Sequence, residues 1–322
     1  MLKFILRRLL VMIPQLLILS VLIFLLAKAM PGDALTGRLA SNPKMDTKTL
    51  YELKEKLGMF DPVYIQYGRW IKGLLHGDLG LSIIHQTPVT HLIAGKMVNT
   101  ALLGLAILIL SYVIAIPLGI IGGRWTDTWA DKMIVGYNYL TYATPLFIFA
   151  LLVLFVFGFI LGWFPTSGSV DIQVENGTFA YYLSKVNHLI LPAFSGAIVS
   201  TTVTVQYLRN EIIDTKIKDF VKTARAKGVS ESKVYTRHIF RNSLLPIAAF
   251  LGYDIVSIIG GSVFLESIYG YPGIGQLFVT SIAQRDFSVV TALVMLSGLA
   301  TLVGTLLSDI ILSAVDPRIR ID

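Results

Sequence analysis

Few residues in this sequence have the types and spacing needed for acid–base or metal chemistry. The chain has no cysteine, which excludes disulfides, zinc–thiolate sites and a cysteine nucleophile. The phosphate-binding pattern G-x-x-x-x-G-K-[ST] and the nucleophile elbow G-x-S-x-G are also absent from the sequence. None of the five histidines has metal-ligand spacing; they are His76, His85, His91, His188 and His238. We therefore predict no catalytic residue, no metal site, no cofactor bound by this chain and no ATP hydrolysis by the chain itself.

One carboxylate, Asp254, lies inside a long apolar run. An ionisable side chain at membrane depth is by default a candidate functional residue. Asp254 is open to two interpretations: it lines a hydrated substrate path or carries protons, or it pairs structurally with a hydroxyl or amide of a neighbouring helix, such as Gln206. Asp309 lies near the end of the last apolar run, where an interfacial position is expected.

The composition identifies the class of protein that must position these residues. Of 322 residues, 54% are hydrophobic and 15% charged, with a mean hydropathy of +0.70, whereas soluble domains carry about 25% charged residues. Six apolar stretches are each long enough to cross about 30 Å of hydrocarbon at about 1.5 Å per residue. They are approximately Leu9–Met30, Thr100–Ile121, Met133–Leu161, Leu189–Leu208, Leu245–Phe264 and Ser288–Ala314. The sequence thus predicts an all-α, polytopic membrane protein with about six transmembrane helices.

The first apolar stretch imitates a secretory signal, because Lys3, Arg7 and Arg8 precede it. Its apolar core of about 20 residues exceeds the roughly 7–15 of a signal peptide. Residues 1–30 are therefore predicted to be a retained transmembrane helix.

Charge sets the expected orientation. The connection Arg209–Ser243 holds nine basic and four acidic residues, the strongest basic bias in any short connection, and such connections stay in the cytoplasm. Both termini, including the tail 315–322, then lie in the cytoplasm, and Gly162–His188 and Leu265–Phe287 lie outside. The net charge of +7 is explained by these loops and not by nucleic-acid binding.

Residues 31–97 are polar-leaning and too many for a tight connection, so we expect a small extracytoplasmic element. It should contain a helix near Thr47–Leu57, with Asp46 as its N-cap and Gly58 just past its end. The remaining residues, 98–314, are expected to form a core of five transmembrane helices, which includes the connection 209–243.

That connection has the pattern of helix, tight turn and helix, followed by a membrane span. Phe220, Thr223, Ala224 and Lys227 recur at i, i+3, i+4 and i+7, which gives a mostly small and apolar face that another protein can approach. Gly228 is placed for a left-handed helix C-cap, and Ser230 for the N-cap of the next helix. Pro246 lies just inside the following span, where its missing N–H costs least.

The string T-A-R-A-K-G-V-S, with R-N-S-L-L-P after it, resembles the coupling loop of binding-protein-dependent ABC importer permeases, in the form used by the oligopeptide and dipeptide branch. In that family the helix of the loop lies in a groove of a cytoplasmic ATPase subunit. Thr223 stands where the general family pattern has Glu, so no role of that carboxylate is transferred. The resemblance implies that the ATPase-coupling motif comprises Phe220, Thr223, Ala224, Arg225, Lys227, Gly228, Ser230, Leu245 and Pro246.

Three further stretches resemble the B-type subunit of peptide permeases. They are Phe4–Leu10 with Pro31-Gly32-Asp33, Leu57-Gly58 through Gln66-Tyr67 and Trp70 to Gly77–Gly80, and Glu266–Gly275 with Arg285-Asp286-Phe287. In the last of these, Pro272 and Gly273 force irregular backbone, which at membrane depth is tolerated only where protein or water covers it. We interpret this stretch as the outer mouth of a transport pathway; an interfacial turn anchored by Tyr269 and Tyr271 is the alternative. The candidate pathway residues are Glu266, Tyr271, Pro272 and Gly273 of this stretch, together with Asp254 of the fifth span.

The resemblance implies half of a transport pathway in a bacterial cytoplasmic membrane. Its implied partners are a second permease chain, two cytoplasmic ATPase subunits that bind ATP and magnesium, and an external peptide-binding protein. Nickel or glutathione are alternative cargoes. An ion- or proton-coupled carrier centred on Asp254 is a rival, although the inverted repeats expected of it are not found. The missing catalytic spacings disfavour an intramembrane enzyme.

Overall fold

The computed structural model describes residues 2–29, 47–56, 58–244, 247, 251, 252, 254, 255, 258 and 262–315. Helices dominate these residues, and their only strand-like pairing is an isolated bridge between Leu81 and Pro88. The chain divides into two compact units. One comprises Met1–Thr100, Ile259–Val263 and Pro272–Leu302, and the other Ala101–Ile258, Phe264–Tyr271 and Val303–Asp322.

The described helices are numbered here in chain order. The first six are α1 (Leu2–Ala29), α2 (Thr47–Lys56), α3 (Val63–Leu75), α4 (Val89–Arg124), α5 (Trp129–Ala143) and α6 (Leu146–Val153), which continues as the π-helical Leu154–Ile160. Next come α7 (Phe179–Lys216), α8 (Asp219–Ala226) and α9, which runs through Glu231–Lys233, the π-helical Val234–Phe240 and Arg241–Ser243. The last three are α10 (Val263–Ile268), α11 (Ile274–Ala283) and α12 (Phe287–Val315).

Four described helices, α1, α4, α7 and α12, are long and apolar enough to cross a membrane. Helices α5 and α6 pass the same test together but bend by 102° at their junction. The sequence predicted one continuous span over Met133–Leu161. It breaks at Thr144, which adopts an extended conformation (φ −94°, ψ 115°) because it precedes Pro145.

The predicted all-α membrane fold is therefore confirmed, with four to five spans among the described residues. The predicted span Leu245–Phe264 lies mostly outside those residues and stays a prediction. Pro31-Gly32-Asp33, Asp46 and the tail 316–322 also lie outside them. The predicted helix near Thr47–Leu57 is confirmed by α2, and Gly58 follows it with φ +64°.

The first unit is built around the start of α4. Val89 and Ile93 of α4 pack against Ile274 and Leu277 of α11 and against residues of α12; the α12 members are Val289, Ala292 and Leu293. The loop before α4 is held by Asp286, which is fully buried and accepts hydrogen bonds from the Ser82 hydroxyl (2.5 Å) and the Ile84 amide (3.3 Å).

In the second unit, α7 packs closely against α4. A Cβ added at Gly119 or Gly123 would lie 2.9 Å from Leu208 Cβ or 2.7 Å from Ile212 Cβ, so these glycines, four residues apart, let the two helices approach. Hydrogen bonds between hydroxyl groups join α5 to α7. The hydroxyl oxygens of Tyr137 and Thr201 are 2.7 Å apart, and those of Thr141 and Thr202 are 2.6 Å apart. Such hydrogen bonds between helices satisfy groups that lipid cannot.

Candidate coupling site

Helix α8 is a short helix closed by a glycine turn. Gly228 adopts φ +73°, and the Val229 amide donates to the Ala224 carbonyl at 3.2 Å. These are the marks of a left-handed C-cap, as the sequence predicted. A Cβ at Gly228 would meet no atom within 4 Å, so glycine is required here by backbone conformation and not by space.

The next helix begins as expected, at Ser230, whose carbonyl accepts from the Val234 amide at 2.9 Å. The Ser230 side chain makes no capping hydrogen bond. Across the turn, Arg225 donates to both carboxylate oxygens of Glu231, at 2.5 and 3.3 Å. The Arg225 guanidinium thereby lowers the pKa of the Glu231 carboxyl. Both side chains are exposed, so this pair orients the turn without adding much stability.

One face of α8 is buried and the other is open. Val221 (0% exposed) and Ala224 (6%) pack into a cluster with Leu208, Ile212, Val234, Tyr235, Ile239 and Ile247. Phe220, Thr223, Arg225 and Lys227 are exposed. The sequence pattern put Ala224 on the face left for a partner, whereas the structure packs it against α7 and α9. The open surface is formed by Phe220, Thr223 and Lys227.

The buried cluster joins α8 to the end of α4 through a cation–π contact. The Arg124 guanidinium lies 4.8 Å from the centroid of the Tyr235 ring and 4.9 Å from that of Trp125. Burial raises the pKa of Tyr235 to about 12, so the ring stays neutral. In addition, Lys216 donates to the Arg124 carbonyl at 2.8 Å. The ends of α4 and α7 are thus tied together beside α8.

A buried ion pair completes this region. Arg209 on α7 donates to both carboxylate oxygens of Asp131, at 2.6 and 2.8 Å, and Asp131 is 2% exposed. The same carboxylate accepts from the Asp127 amide at 2.9 Å. Asp131 lies in the first turn of α5, and the Thr128 side chain caps its amide. The pair therefore fixes the short connection between α4 and α5 to the end of α7.

Sequence reasoning missed this pair, although a signal was present. Thr128 and Asp131 have the T-x-x-D spacing of a capping box, which predicts a helix start. Arg209 was counted only as one of the basic residues of the connection 209–243. The signal therefore indicated the helix start near Asp131, but not that the Asp131 and Arg209 side chains meet.

Asp254 pairs with a hydroxyl group, which agrees with the interpretation that it makes a structural contact with a neighbouring helix. The Tyr112 hydroxyl donates to Asp254 Oδ2 at 2.8 Å. Gln206, suggested as a partner, instead accepts from Asn138 at 3.3 Å. Asp254 is half-buried, so the pairing leaves a role in the pathway open as a proposal.

The candidate pathway residues Glu266 and Tyr271 are buried in the second unit. Glu266 is 0% exposed and Tyr271 is 2% exposed. Tyr269 is also 2% exposed, and its hydroxyl pairs with Ser195 at 2.7 Å and donates to the Ala150 carbonyl at 3.1 Å. Since both tyrosines belong to a protein core, they do not act as interfacial anchors, which corrects that alternative.

Pro272 and Gly273, in the first unit, form an irregular backbone segment whose polar groups are satisfied. The Asn99 side chain donates to the Pro272 carbonyl at 3.1 Å, and Thr100 Oγ1 accepts from the Ile274 amide at 2.7 Å. This is the cover by protein that irregular backbone requires at membrane depth. Leu245 and Pro246, the last two predicted members of the coupling motif, lie outside the described residues.

Residues 115–321, well over half of the chain, match the family described as "Binding-protein-dependent transport system inner membrane component". Residues 1–103 match its partner family, "Binding-prot-dependent transport system membrane comp, N-term". The chain belongs to this family of transport-system permeases. It is therefore a multi-pass inner-membrane subunit of an ABC importer, a class that works with ATPase and solute-binding partners.

Similar permeases are known over the full length of the chain. The oligopeptide transport system permease protein AppB of Bacillus subtilis is 39% identical over 98% of this chain and 99% of its own length. The glutathione transport system permease protein GsiC of Escherichia coli K12 is 32% identical over 99% of each chain. The resemblance of this permease to the oligopeptide branch is thereby confirmed.

The permease fold also matches solved structures. The match to an inward-facing structure of the MetNI methionine ABC transporter covers 70% of this chain and 96% of the chain in that structure, with a TM-score of 0.53 and 15% sequence identity. The match to a crystal structure of an amino acid ABC transporter with histidines covers 71% of this chain and 95% of the chain in that structure, with a TM-score of 0.50 and 15% sequence identity. At this identity the likeness supports the fold alone.

Proposed function

We propose that this chain is the permease subunit of an ATP-driven importer of oligopeptides and forms half of its translocation pathway. The observation that carries the cargo class is the 39% identity to an oligopeptide permease over 98% of the chain. In this proposal a second permease chain completes the pathway, two cytoplasmic ATPase subunits bind ATP and magnesium, and an external binding protein delivers the peptide. The chain itself has no ATPase activity. Both termini lie in the cytoplasm.

We propose that the open face of α8 is the surface that meets an ATPase subunit. Phe220, Thr223 and Lys227 are exposed there, while Val221 and Ala224 bind the helix to its own protein. A push on α8 would reach α7 through Leu208 and Ile212, and α4 through the contact of Tyr235 with Arg124. Because packed elements move as units, this network supports transmission from the ATPase to the membrane helices.

Glutathione is the second candidate cargo. It is favoured by the 32% identity to a glutathione permease over 99% of both chains. It is itself a small peptide-like molecule, so the two candidates differ in length and linkage more than in chemistry. In this proposal the Tyr112–Asp254 pair is a polar contact on the candidate pathway.

The cargo is tested by isolating the external binding protein encoded with this permease and identifying its ligand by mass spectrometry. Uptake of that ligand into vesicles containing the full complex should require ATP inside. A ligand of several residues supports the oligopeptide assignment. If glutathione alone is recovered and peptides do not inhibit its uptake, the oligopeptide assignment is wrong and the cargo is glutathione.

The coupling surface is tested by disulfide crosslinking, for which the cysteine-free chain gives a clean background. Thr223→Cys and Lys227→Cys should crosslink to a cysteine scanned along the ATPase surface. Ala224→Cys, between them but 6% exposed, is the matched control and should not. Equal crosslinking at all three positions, or at none, would contradict this assignment of the α8 surface.

A further inference from the structure

Helix α3 was predicted to belong to an extracytoplasmic region, yet it packs against a membrane span. The Phe24 ring of α1 lies 5.4 Å from the Tyr67 ring and 5.7 Å from the Trp70 ring. Ser20, also on α1 and 0% exposed, pairs with the Tyr67 hydroxyl at 2.8 Å. Since the Ser20 hydroxyl already donates to the Leu17 carbonyl at 2.7 Å, Tyr67 is the donor in this pair.

The position of Ser20 along α1 bounds the depth of this contact. The apolar span runs over 25 residues, Ile5–Ala29, which at about 1.5 Å per residue is about 37 Å, against about 30 Å of hydrocarbon. Ser20 lies about 13 Å from the Ala29 end on the same rise. Even if the whole excess of about 7 Å projects at that end, Ser20 lies about 6 Å inside the hydrocarbon and Phe24 lies at its edge.

The exposed surface of α3 is divided into two flanks at helical spacing. Tyr64, Gly68, Ile71 and Leu75 follow one another at i, i+4, i+7 and i+11, and Tyr64 and Leu75 are 74% and 80% exposed. The other flank carries Ile65, Arg69, Lys72 and His76, all exposed, so it is basic except at Ile65. An apolar flank beside a basic flank is the pattern of a helix that lies in the plane of a membrane interface.

We propose that α3 is an interfacial helix embedded in the leaflet at the Ala29 end of α1. Its Tyr64–Leu75 flank contacts acyl chains, and its Arg69–Lys72 flank faces the phosphates of anionic lipids. Tyr67 and Trp70 hold α3 against α1, whose exposed side chains are mostly apolar. The basic residues are suited to the headgroup region of the bilayer. There a long cationic side chain can reach the phosphates while its aliphatic stem stays in apolar surroundings. Asp61 pairs with Arg69 at 2.5 Å and offsets part of its charge, so we expect Lys72 to supply the larger share of the positive charge that this flank directs to the lipid.

This inference depends on α1 spanning the bilayer and not on the identity of the cargo. It is tested by spin labelling of single cysteines at Tyr64→Cys, Leu75→Cys and Lys72→Cys in the full transporter, reconstituted in nanodiscs containing anionic lipid. Collision with oxygen, which concentrates in hydrocarbon, is compared with collision with a water-soluble nickel chelate. A label at Leu26→Cys, on the exposed face of α1, supplies the lipid reference.

Labels at residues 64 and 75 should give an oxygen-to-nickel ratio several-fold higher than the label at residue 72, and close to that of Leu26→Cys. If all three positions favour the nickel chelate, α3 lies in water and the proposal fails. If residues 64 and 75 are shielded from both reagents, a protein partner covers the flank instead of lipid, and the proposal fails in that way. The substituted side chains are exposed, so the variants should fold.

Discussion

The Arg209 guanidinium and the Asp131 carboxylate meet through two parallel hydrogen bonds, from Nε to Oδ1 at 2.6 Å and from Nη2 to Oδ2 at 2.8 Å. This two-point geometry fixes the orientation of both side chains and not only their distance. It joins helices α5 and α7, which are 78 residues apart at this contact. In the proposed coupling mechanism, it makes the ends of these helices move together.

Removal of the carboxylate by Asp131→Ala should strongly destabilise the permease. The Arg209 charge, 15% exposed at its side chain, and the Asp127 amide would lose their partner, and breaking a buried pair costs roughly 3–5 kcal/mol. Thermal unfolding of the purified complex in detergent measures the effect. Asp214→Ala, at an exposed site on α7, is the control; if both variants lose the same stability, the pair is not a structural tie.

Gly228→Val should abolish ATP-driven uptake while leaving membrane insertion and abundance largely intact. Valine in a left-handed conformation costs about 1–2 kcal/mol, and Gly228 itself is exposed, so the strain should displace α8 before it unfolds the chain. Uptake is measured in vesicles, and abundance by immunoblotting.

Gly228→Asn is the matched control, since asparagine tolerates the left-handed conformation and a Cβ meets no atom within 4 Å. It should retain most of the uptake. Normal transport by the valine variant, or equal loss in both variants, would remove the left-handed turn from the coupling mechanism.

Gly123→Val should disrupt the packing of α4 on α7. Its Cβ would lie 2.7 Å from Ile212 Cβ and 3.0 Å from the Arg209 carbonyl oxygen, and overpacking of this kind costs about 1–3 kcal/mol. Gly136→Val on α5 introduces the same side chain where no atom lies within 4 Å. A lower unfolding temperature for Gly123→Val than for Gly136→Val is expected; the reverse order would exclude the close helix approach.

The orientation of the chain predicts opposite labelling of two exposed connections. Lys218→Cys, before α8, should react with a membrane-impermeant maleimide only after the cells are opened. Asn176→Cys, before α7, should react in intact cells; asparagine is chosen over its neighbour Gly177 because that glycine has φ +84°. Labelling of both cysteines from outside would overturn the proposed topology.

Local features of this protein were predictable from the sequence because they depend on neighbours along the chain. Hydropathy indicated the spans, since burying about 20 residues in lipid requires an apolar run. The glycine turn at Gly228 and the helix start at Ser230 follow from backbone preferences of single residues. The family resemblance rests on the same short stretches, and the full-length relatives confirm it.

The bend at Pro145 shows where such reasoning reaches its limit. A proline inside a span is compatible with a straight, a kinked or a broken helix, because neighbouring elements decide how its freed backbone groups are satisfied. The structure bends α5 and α6 by 102°, an angle that no residue in the span specifies by itself.

Contacts between distant segments were decided by the tertiary structure. The helical period placed Phe220 and Ala224 on one face of α8, yet Ala224 is buried and Phe220 is exposed, because burial depends on where α7 and α9 lie. The partner of Asp254 proved to be Tyr112, 142 residues away, and that of Arg209 proved to be Asp131. A hydropathy pattern shows which residues need a partner, but only the packing of helices selects the partner, since several polar groups along the chain can satisfy the same donor.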